Sequence, residues 1–264
     1  MATSILIRSA LVTALALAAE SVAAGPWTRA VGEGFSSQET RYFRTGGPAD
    51  ERFEQSTVAV YAEYGVTEDV TLGLKLDQSL RLDDSGFGAQ SGRIGGFAKI
   101  GVWRGEAGDV AAVEIGGSIP LSGFQSPAAP GGDDADEVRG AVLYGRGFET
   151  DYGSAWADGA LGLAYFTGGR ATEAKLDLTA GLRPDENWIG LAQMFATISL
   201  RNEKSITDTD FDTVKLKFSV GRKVFEDKTI LIGVARDVYA RGADPGWEAS
   251  LTIWSPFDFD WFSE

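Results

Sequence analysis

From Val70 to Leu76 every second residue is aliphatic: Val70, Leu72, Leu74 and Leu76. Between them stand Thr71, Gly73 and Lys75, continued by Asp77. The pattern returns in Ala174, Leu176, Leu178, Ala180 and Leu182, set against Lys175, Asp177, Thr179, Gly181 and Arg183. It returns again in Val214, Leu216, Phe218 and Val220, against Lys215, Lys217, Ser219 and Gly221. Near the end, Trp247, Ala249, Leu251 and Ile253 oppose Glu248, Ser250 and Thr252. A helix would scatter these apolar residues round its circumference, whereas a strand sorts them onto one face.

Reading turns between such stretches gives twelve strands, at 34–44, 53–64, 70–82, 93–104, 109–120, 138–149, 154–166, 172–183, 187–202, 211–224, 228–240 and 246–256. Most are long for a soluble protein, where strands of about 5–6 residues are usual. They suit a tilted membrane crossing, which needs about 9–11. The links between them largely alternate in length. Short ones fall at 65–69, 105–108, 150–153, 184–186 and 225–227. Longer ones fall at 45–52, 83–92, 121–137, 167–171, 202–210 and 241–245. A bacterial barrel has short periplasmic turns and longer outer loops. Tyr61, Tyr64, Trp103, Tyr144, Trp188, Phe225, Tyr239, Trp247, Trp254 and Phe257 fall near strand ends, where interfacial girdles sit. The expected fold is therefore an all-β, closed, antiparallel, up-and-down transmembrane barrel of about twelve strands. A secreted soluble β-sandwich alternates too, and is the competing architecture.

The leader agrees with export. Arg8 precedes an apolar stretch from Ser9 to Ala19, and Val22-Ala23-Ala24 puts small residues before Gly25. Residues 1–24 read as a cleaved signal peptide, and 25–264 as the barrel domain, in the outer membrane of a Gram-negative bacterium. The apolar run is short for a spanning helix. Removing the leader takes away Arg8 and Glu20, so the formal net charge of −14 is unchanged.

Composition excludes several chemistries. The chain has no His and no Cys. It thus lacks a Ser-His-Asp triad, an ordinary zinc site, a thiolate nucleophile and a disulfide framework. The acidic balance argues against nucleic acid as a partner. The 34 Gly are about twice the usual ~7% share.

Two motifs carry a family resemblance. Gly25-Pro26-Trp27 and Gly32-Glu33-Gly34-Phe35 open the first strand, and the second hairpin reads Tyr61-Ala62-Glu63-Tyr64-Gly65-Val66-Thr67-Glu68-Asp69-Val70-Thr71-Leu72. The chain resembles, over its first 80 residues or so, the outer-membrane family named for the MetA pathway of phenol degradation. That resemblance implies transport of small, including aromatic, compounds. It supplies no catalytic residue.

In a membrane barrel the apolar faces meet lipid and the polar faces line the interior. The candidate lumen residues are Glu63, Lys75, Asp77, Arg81, Lys99, Glu114, Asp158, Lys175, Asp177, Arg183, Arg201, Lys215, Lys217 and Glu248. The set leans basic, with Lys215 and Lys217 on one face and Lys175 two strands away. It could attract small anions such as aromatic carboxylates. Alternatively, opposite charges pair across neighbouring strands and simply fill the interior. The run Asp208-Thr209-Asp210-Phe211-Asp212 could chelate a cation, but it lacks the Gly and closing Glu of an EF-hand loop and reads better as a solvated acidic link. The 121–137 link, with Pro127, Pro130 and Gly131-Gly132, could fold inward as a constriction. A two-carboxylate glycosidase using Glu114, Asp158 or Glu248 is chemically conceivable, yet nothing in the sequence positions such a pair. The expected function is passive passage of small solutes, without cofactor, metal or covalent chemistry. Its partners would be outer-membrane lipid and the solutes themselves. The alternatives are a plugged barrel acting through its outer loops, and a secreted soluble β protein.

Overall fold

The computed structural model describes residues 25–46, 53–83, 86–106, 108–121, 135–167, 171–200, 211–225 and 227–258. The leader, Arg201, most of the 121–137 link and all of the 202–210 link lie outside the described residues. Twelve strands run in chain order: β1 (Glu33–Thr45), β2 (Glu54–Gly65), β3 (Val70–Asp83), β4 (Gly86–Arg104), β5 (Asp109–Pro120), β6 (Glu137–Thr150), β7 (Gly153–Phe166), β8 (Thr172–Arg183), β9 (Trp188–Leu200), β10 (Asp212–Lys223), β11 (Thr229–Arg241) and β12 (Gly246–Asp258).

Each strand pairs with its sequence neighbours, and β1 pairs with β12 to close the sheet. The closing seam is antiparallel and continuous, from Glu33 opposite Asp258 to Thr45 opposite Gly246. Closure leaves no unpaired edge, which a strand in lipid could not tolerate. The short links, the start of β1 and the end of β12 gather at one rim, here the near end, and the longer links at the far end.

Side-chain exposure is inverted relative to a soluble protein. Leu72, Leu74, Val142, Leu161, Leu163, Phe218, Val220, Ile232 and Val234 are exposed on the outer wall. Glu39, Glu63, Lys99, Glu114, Glu173, Lys217 and Glu248 are buried inside. In water each exposed aliphatic side chain would forgo about 1.5–3 kcal/mol of burial. In a bilayer the same wall is already in its preferred solvent. A single closed sheet with charges inside also excludes the β-sandwich, whose core would be apolar.

Two bulges adjust the alternation. The register shifts between Gly101 and Trp103 on β4, so Val102 and Trp103 both face outward. On β11 the shift opposite Val214 and Lys215 turns both Val238 and Tyr239 outward. An inserted residue does this because the pleat has a period of two.

Three expectations change. The 83–92 link is mostly strand: β4 begins at Gly86, with Asp83 opposite Gly86 and Leu82 opposite Phe87. Its Gly- and Ser-rich sequence hides the alternation, and an irregularity between Leu80 and Leu82 breaks the phase. Tyr61 does not belong to a girdle. It is fully buried inside the barrel, stacked on Phe97 with ring centroids 5.5 Å apart. Trp254 likewise turns inward, into an apolar cluster. Both share the parity of interior residues on their own strands, Glu63 on β2 and Glu248 on β12. Trp103, Tyr144, Trp188, Phe225, Tyr239 and Trp247 do stand exposed on the outside.

Candidate functional site

The interior divides into two halves. The near-end half is filled. The segment 25–32, which precedes β1, turns into the lumen instead of leaving the barrel. Val31 bridges Gly65, and the Gly32 amide donates to the Gly65 carbonyl at 3.1 Å. A side chain at Gly65 would strike the Ala30 carbonyl, and one at Gly145 would strike Pro26 and Trp27. Glycine at these two wall positions makes room for the segment.

Charged groups hold the segment down. Arg29 Nε lies 2.5 Å from Glu63 Oε1, and the Arg29 amide donates to Thr71 Oγ1 at 2.8 Å. Lys99, fully buried, donates from Nζ to Glu63 Oε2 at 2.9 Å. It also donates to the Gly25 and Trp27 carbonyls at 2.9 and 3.3 Å. The Tyr61 hydroxyl donates to Glu63 Oε2 at 2.5 Å. Glu63 thus receives two cations and a phenol, which satisfies a carboxylate removed from water. Beside this knot, Ile189, Leu191, Leu231 and Trp254 pack with Phe35 and Trp156. The inner faces of β9 and β11 are therefore apolar at the near end, where the sequence reading expected a polar wall throughout.

The far-end half holds a cavity of about 850 Å³. Its wall combines Arg41, Lys75, Arg93, Arg139, Lys175 and Lys215 with Asp77, Glu114, Glu137, Asp177, Asp237, Asp244 and Glu248. Phe43, Phe53, Phe166, Phe195 and Phe211 stand among them. Opposite charges meet across strands and, for Lys175 with Glu173, within β8. Glu114 Oε1 lies 2.8 Å from Arg139 Nη2 and 3.7 Å from Lys75 Nζ. Lys215 Nζ lies 3.0 Å from Glu248 Oε2, and Lys175 Nζ 3.2 Å from Glu173 Oε2. Lys217 pairs with Glu39 and stands 3.9 Å from Glu248 Oε1. Several ammonium groups also sit over rings: Lys75 is 5.0 Å from the Phe97 centroid and Lys215 is 5.3 Å from that of Phe43.

Of the fourteen expected lumen residues, Lys75, Asp77, Glu114, Lys175, Asp177, Lys215 and Glu248 line this cavity. Lys217 is buried just beneath it with Glu39. Glu63 and Lys99 anchor the inserted segment, and Asp158 faces that segment at Gly25. Arg81 lies 5.1 Å over the Phe53 ring. Arg183 is an exposed rim residue, 5.7 Å over Trp156. Arg201 is outside the described residues. Lys75 on β3 meets Glu114 from β5, two strands away. Asp212, at the end of the run read as a solvated acidic link, lies 2.7 Å from Arg241 Nη2.

Sequence reasoning missed Arg29, Glu39, Arg41, Arg93, Arg139, Glu173 and Asp237. On β1 both faces are polar, with Ser36, Gln38 and Thr40 outward and Ser37, Glu39 and Arg41 inward, so no alternation flags the inner side. The signal available for the inserted segment was the Gly25-Pro26-Trp27 start, a rigid apolar piece with no strand pattern.

Glu114 bridges two cavity cations, which makes it a sensitive position. Glu114→Gln is expected to unbalance Lys75 and Arg139 and to move ion preference toward anions. Reversal potential in a salt gradient checks this, and an unchanged or more cationic preference contradicts it.

A closed barrel with an aliphatic wall, a charged interior and alternating link lengths is a membrane-spanning protein of the outer-membrane class. Comparison with known proteins agrees on the fold. A structure of an outer membrane channel from Pseudomonas putida F1 is similar at a TM-score of 0.66, with 10% identity, covering 90% of this chain and 100% of that one. The NanC porin is similar at 0.52, with 7% identity, covering 83% of this chain and 98% of that one. No family model matches the chain, and no curated protein matches it.

Proposed function

We propose that this protein is an outer-membrane channel that admits small amphipathic solutes, aromatic compounds among them, into its outer cavity, and that residues 25–32 control onward passage. The observation that carries the reading is the division of the lumen: a wall of charges and Phe rings above, and a tethered segment below. A permanent filling would be expected to come from the strands themselves. Here the piece ahead of β1 shares the space with an apolar cluster from the strands, and polar contacts hold it. The cavity wall carries acids and bases in nearly equal number, so weak ion selectivity is expected, with the Phe rings favouring a solute that has a flat apolar face. The likeness of the first 80 residues to the phenol-degradation family, and the channel and porin folds it shares, support the same reading. Passage would need no covalent chemistry.

Planar-bilayer conductance tests it. The mature chain is expected to give small or infrequent steps, and a chain lacking residues 25–32 steps several-fold larger. Equal conductance from both, with insertion verified, would overturn control by this segment. Silence from both would favour the second reading, a filled barrel acting through its outer links, which the near-end apolar cluster supports.

A further inference from the structure

The strongest unexplained group in the molecule is the carboxylate of Asp158 on β7. Among the described residues its Oδ2 is shielded from solvent and has no hydrogen-bond partner, while the Trp156 indole serves the carboxyl group elsewhere. It faces Gly25, where a Cβ built on the backbone would stand 3.7 Å from the Asp158 Cγ. The cations nearby are already engaged. Lys99 has three N–H donors, and these serve Glu63, the Gly25 carbonyl and the Trp27 carbonyl. Arg29 is turned to Glu63. One carboxyl oxygen in the lumen wall thus stands beside the first residue that would follow signal cleavage, with no donor to that oxygen among the described residues.

We infer that cleavage between Ala24 and Gly25 completes the lumen segment, because the α-ammonium freed at Gly25 is the counter-ion of Asp158. The step is hydrolysis of one amide by a signal peptidase. One water is consumed, the Ala24–Gly25 C–N bond breaks, Ala24 leaves with a carboxylate and Gly25 keeps an ammonium. Before cleavage the Gly25 nitrogen is a neutral amide with one donor. Afterwards it is a cation with three, one N–Cα bond of ~1.46 Å from the carbon that faces Asp158. Arg29 with Glu63 ties one end of the segment, and the new terminus with Asp158 ties the other. Processing would then do more than remove an address: it would add a charged anchor to those that Arg29 and Lys99 already supply. This inference rests on the signal-peptide reading and on residues 25–32 controlling passage.

The test uses protein purified from outer membranes. N-terminal sequencing is expected to give Gly25 first, and any other start overturns the inference. The folded barrel is then treated at neutral pH with a small amine-reactive ester, and acylation of the Gly25 amine is followed by mass spectrometry. In the parent protein that amine is expected to react about tenfold more slowly than in Asp158→Asn, since a tenfold factor corresponds to the loss of a single modest ion pair. Equal rates overturn the inference. If Asp158→Asn fails to fold, a chain with one extra Ala before Gly25 serves instead. It moves the ammonium off Asp158 and is expected to react at the fast rate and to conduct more than the parent. Unchanged reactivity and conductance overturn the pairing. Deletion of residues 25–32 still opens the channel if only the Asp158 pairing is wrong, so the two readings fail separately.

Discussion

Replacing Glu63 by Ala is expected to destabilise the barrel by about 3–5 kcal/mol, because it leaves a buried Lys99 without its carboxylate. Arg29 and the Tyr61 hydroxyl lose the same acceptor. The effect should appear as a lower urea midpoint in lipid or detergent with little change in slope. The segment 25–32 should loosen as well, so the variant should show larger or noisier conductance than the parent. A double variant separates the charge from the packing. Glu63→Leu with Lys99→Met removes both buried charges and is expected to recover much of the loss, as apolar replacement of buried ion pairs commonly does. It should not restore closure of the lumen, since the Gly25 and Trp27 carbonyls lose their donor. A Glu63→Ala variant as stable and as quiet as the parent would contradict the anchoring role.

Phe218→Arg is expected to cost about 2–4 kcal/mol of folding free energy in a bilayer, the range for a cation near the midplane on a lipid-facing wall. Phe218 is exposed on the outside of β10, mid-strand, between Ser219 and Lys217 that face inward. The matching control lies one strand away. Thr197 on β9 lines the cavity, so Thr197→Arg should change folding by less than about 1 kcal/mol and act instead on conductance. The contrast tests which way the sheet faces. In a water-soluble barrel the order would reverse, with an outward Arg harmless and an inward one crowded. Folding titrations into vesicles of the two single variants decide it.

The architecture was legible because lipid and lumen impose opposite demands on alternate residues. Wherever a strand separates Leu72 and Leu74 from Lys75 and Asp77, or Phe218 from Lys217, both its type and its inward face follow. Legibility failed where that contrast is missing. β1 is polar on both faces, so Glu39 and Arg41 gave no signal. The start of β4, Gly86 to Gly92, is mostly Gly, Ser and Ala, which mark no face. Tyr61 and Trp254 were misplaced because aromatic residues near strand ends suit an interfacial girdle and an interior cluster alike; only parity separates the two. The paired charges were anticipated as a kind of filling, but not the partners. Lys75 meets Glu114 from β5, and registers across two strand pairs cannot be read from one sequence. The segment 25–32 follows no strand pattern, and its place depends on an acid, a lysine and two glycines that lie far along the chain.

The position of that segment has a consequence for the order of assembly. The polar contacts that hold Thr28 and Arg29 come from Glu63, Glu68, Thr71 and Arg104, all within β2 to β4 and their turns, and Lys99 of β4 holds Gly25 and Trp27. Their sequence separations are 34 to 76 residues. The seam between β1 and β12 spans most of the chain, joining Ser36 to Ser255 over 219 residues. Contacts between distant residues form late, since a long loop must be closed first. An open sheet of the first four strands can therefore seat the segment while its inner face is still accessible. The later strands then wrap round an occupied centre, and β12 zips the seam last. On this route the lumen contents act as a mandrel for a rolling sheet, and a variant that loses them should close more slowly even where its finished barrel is equally stable.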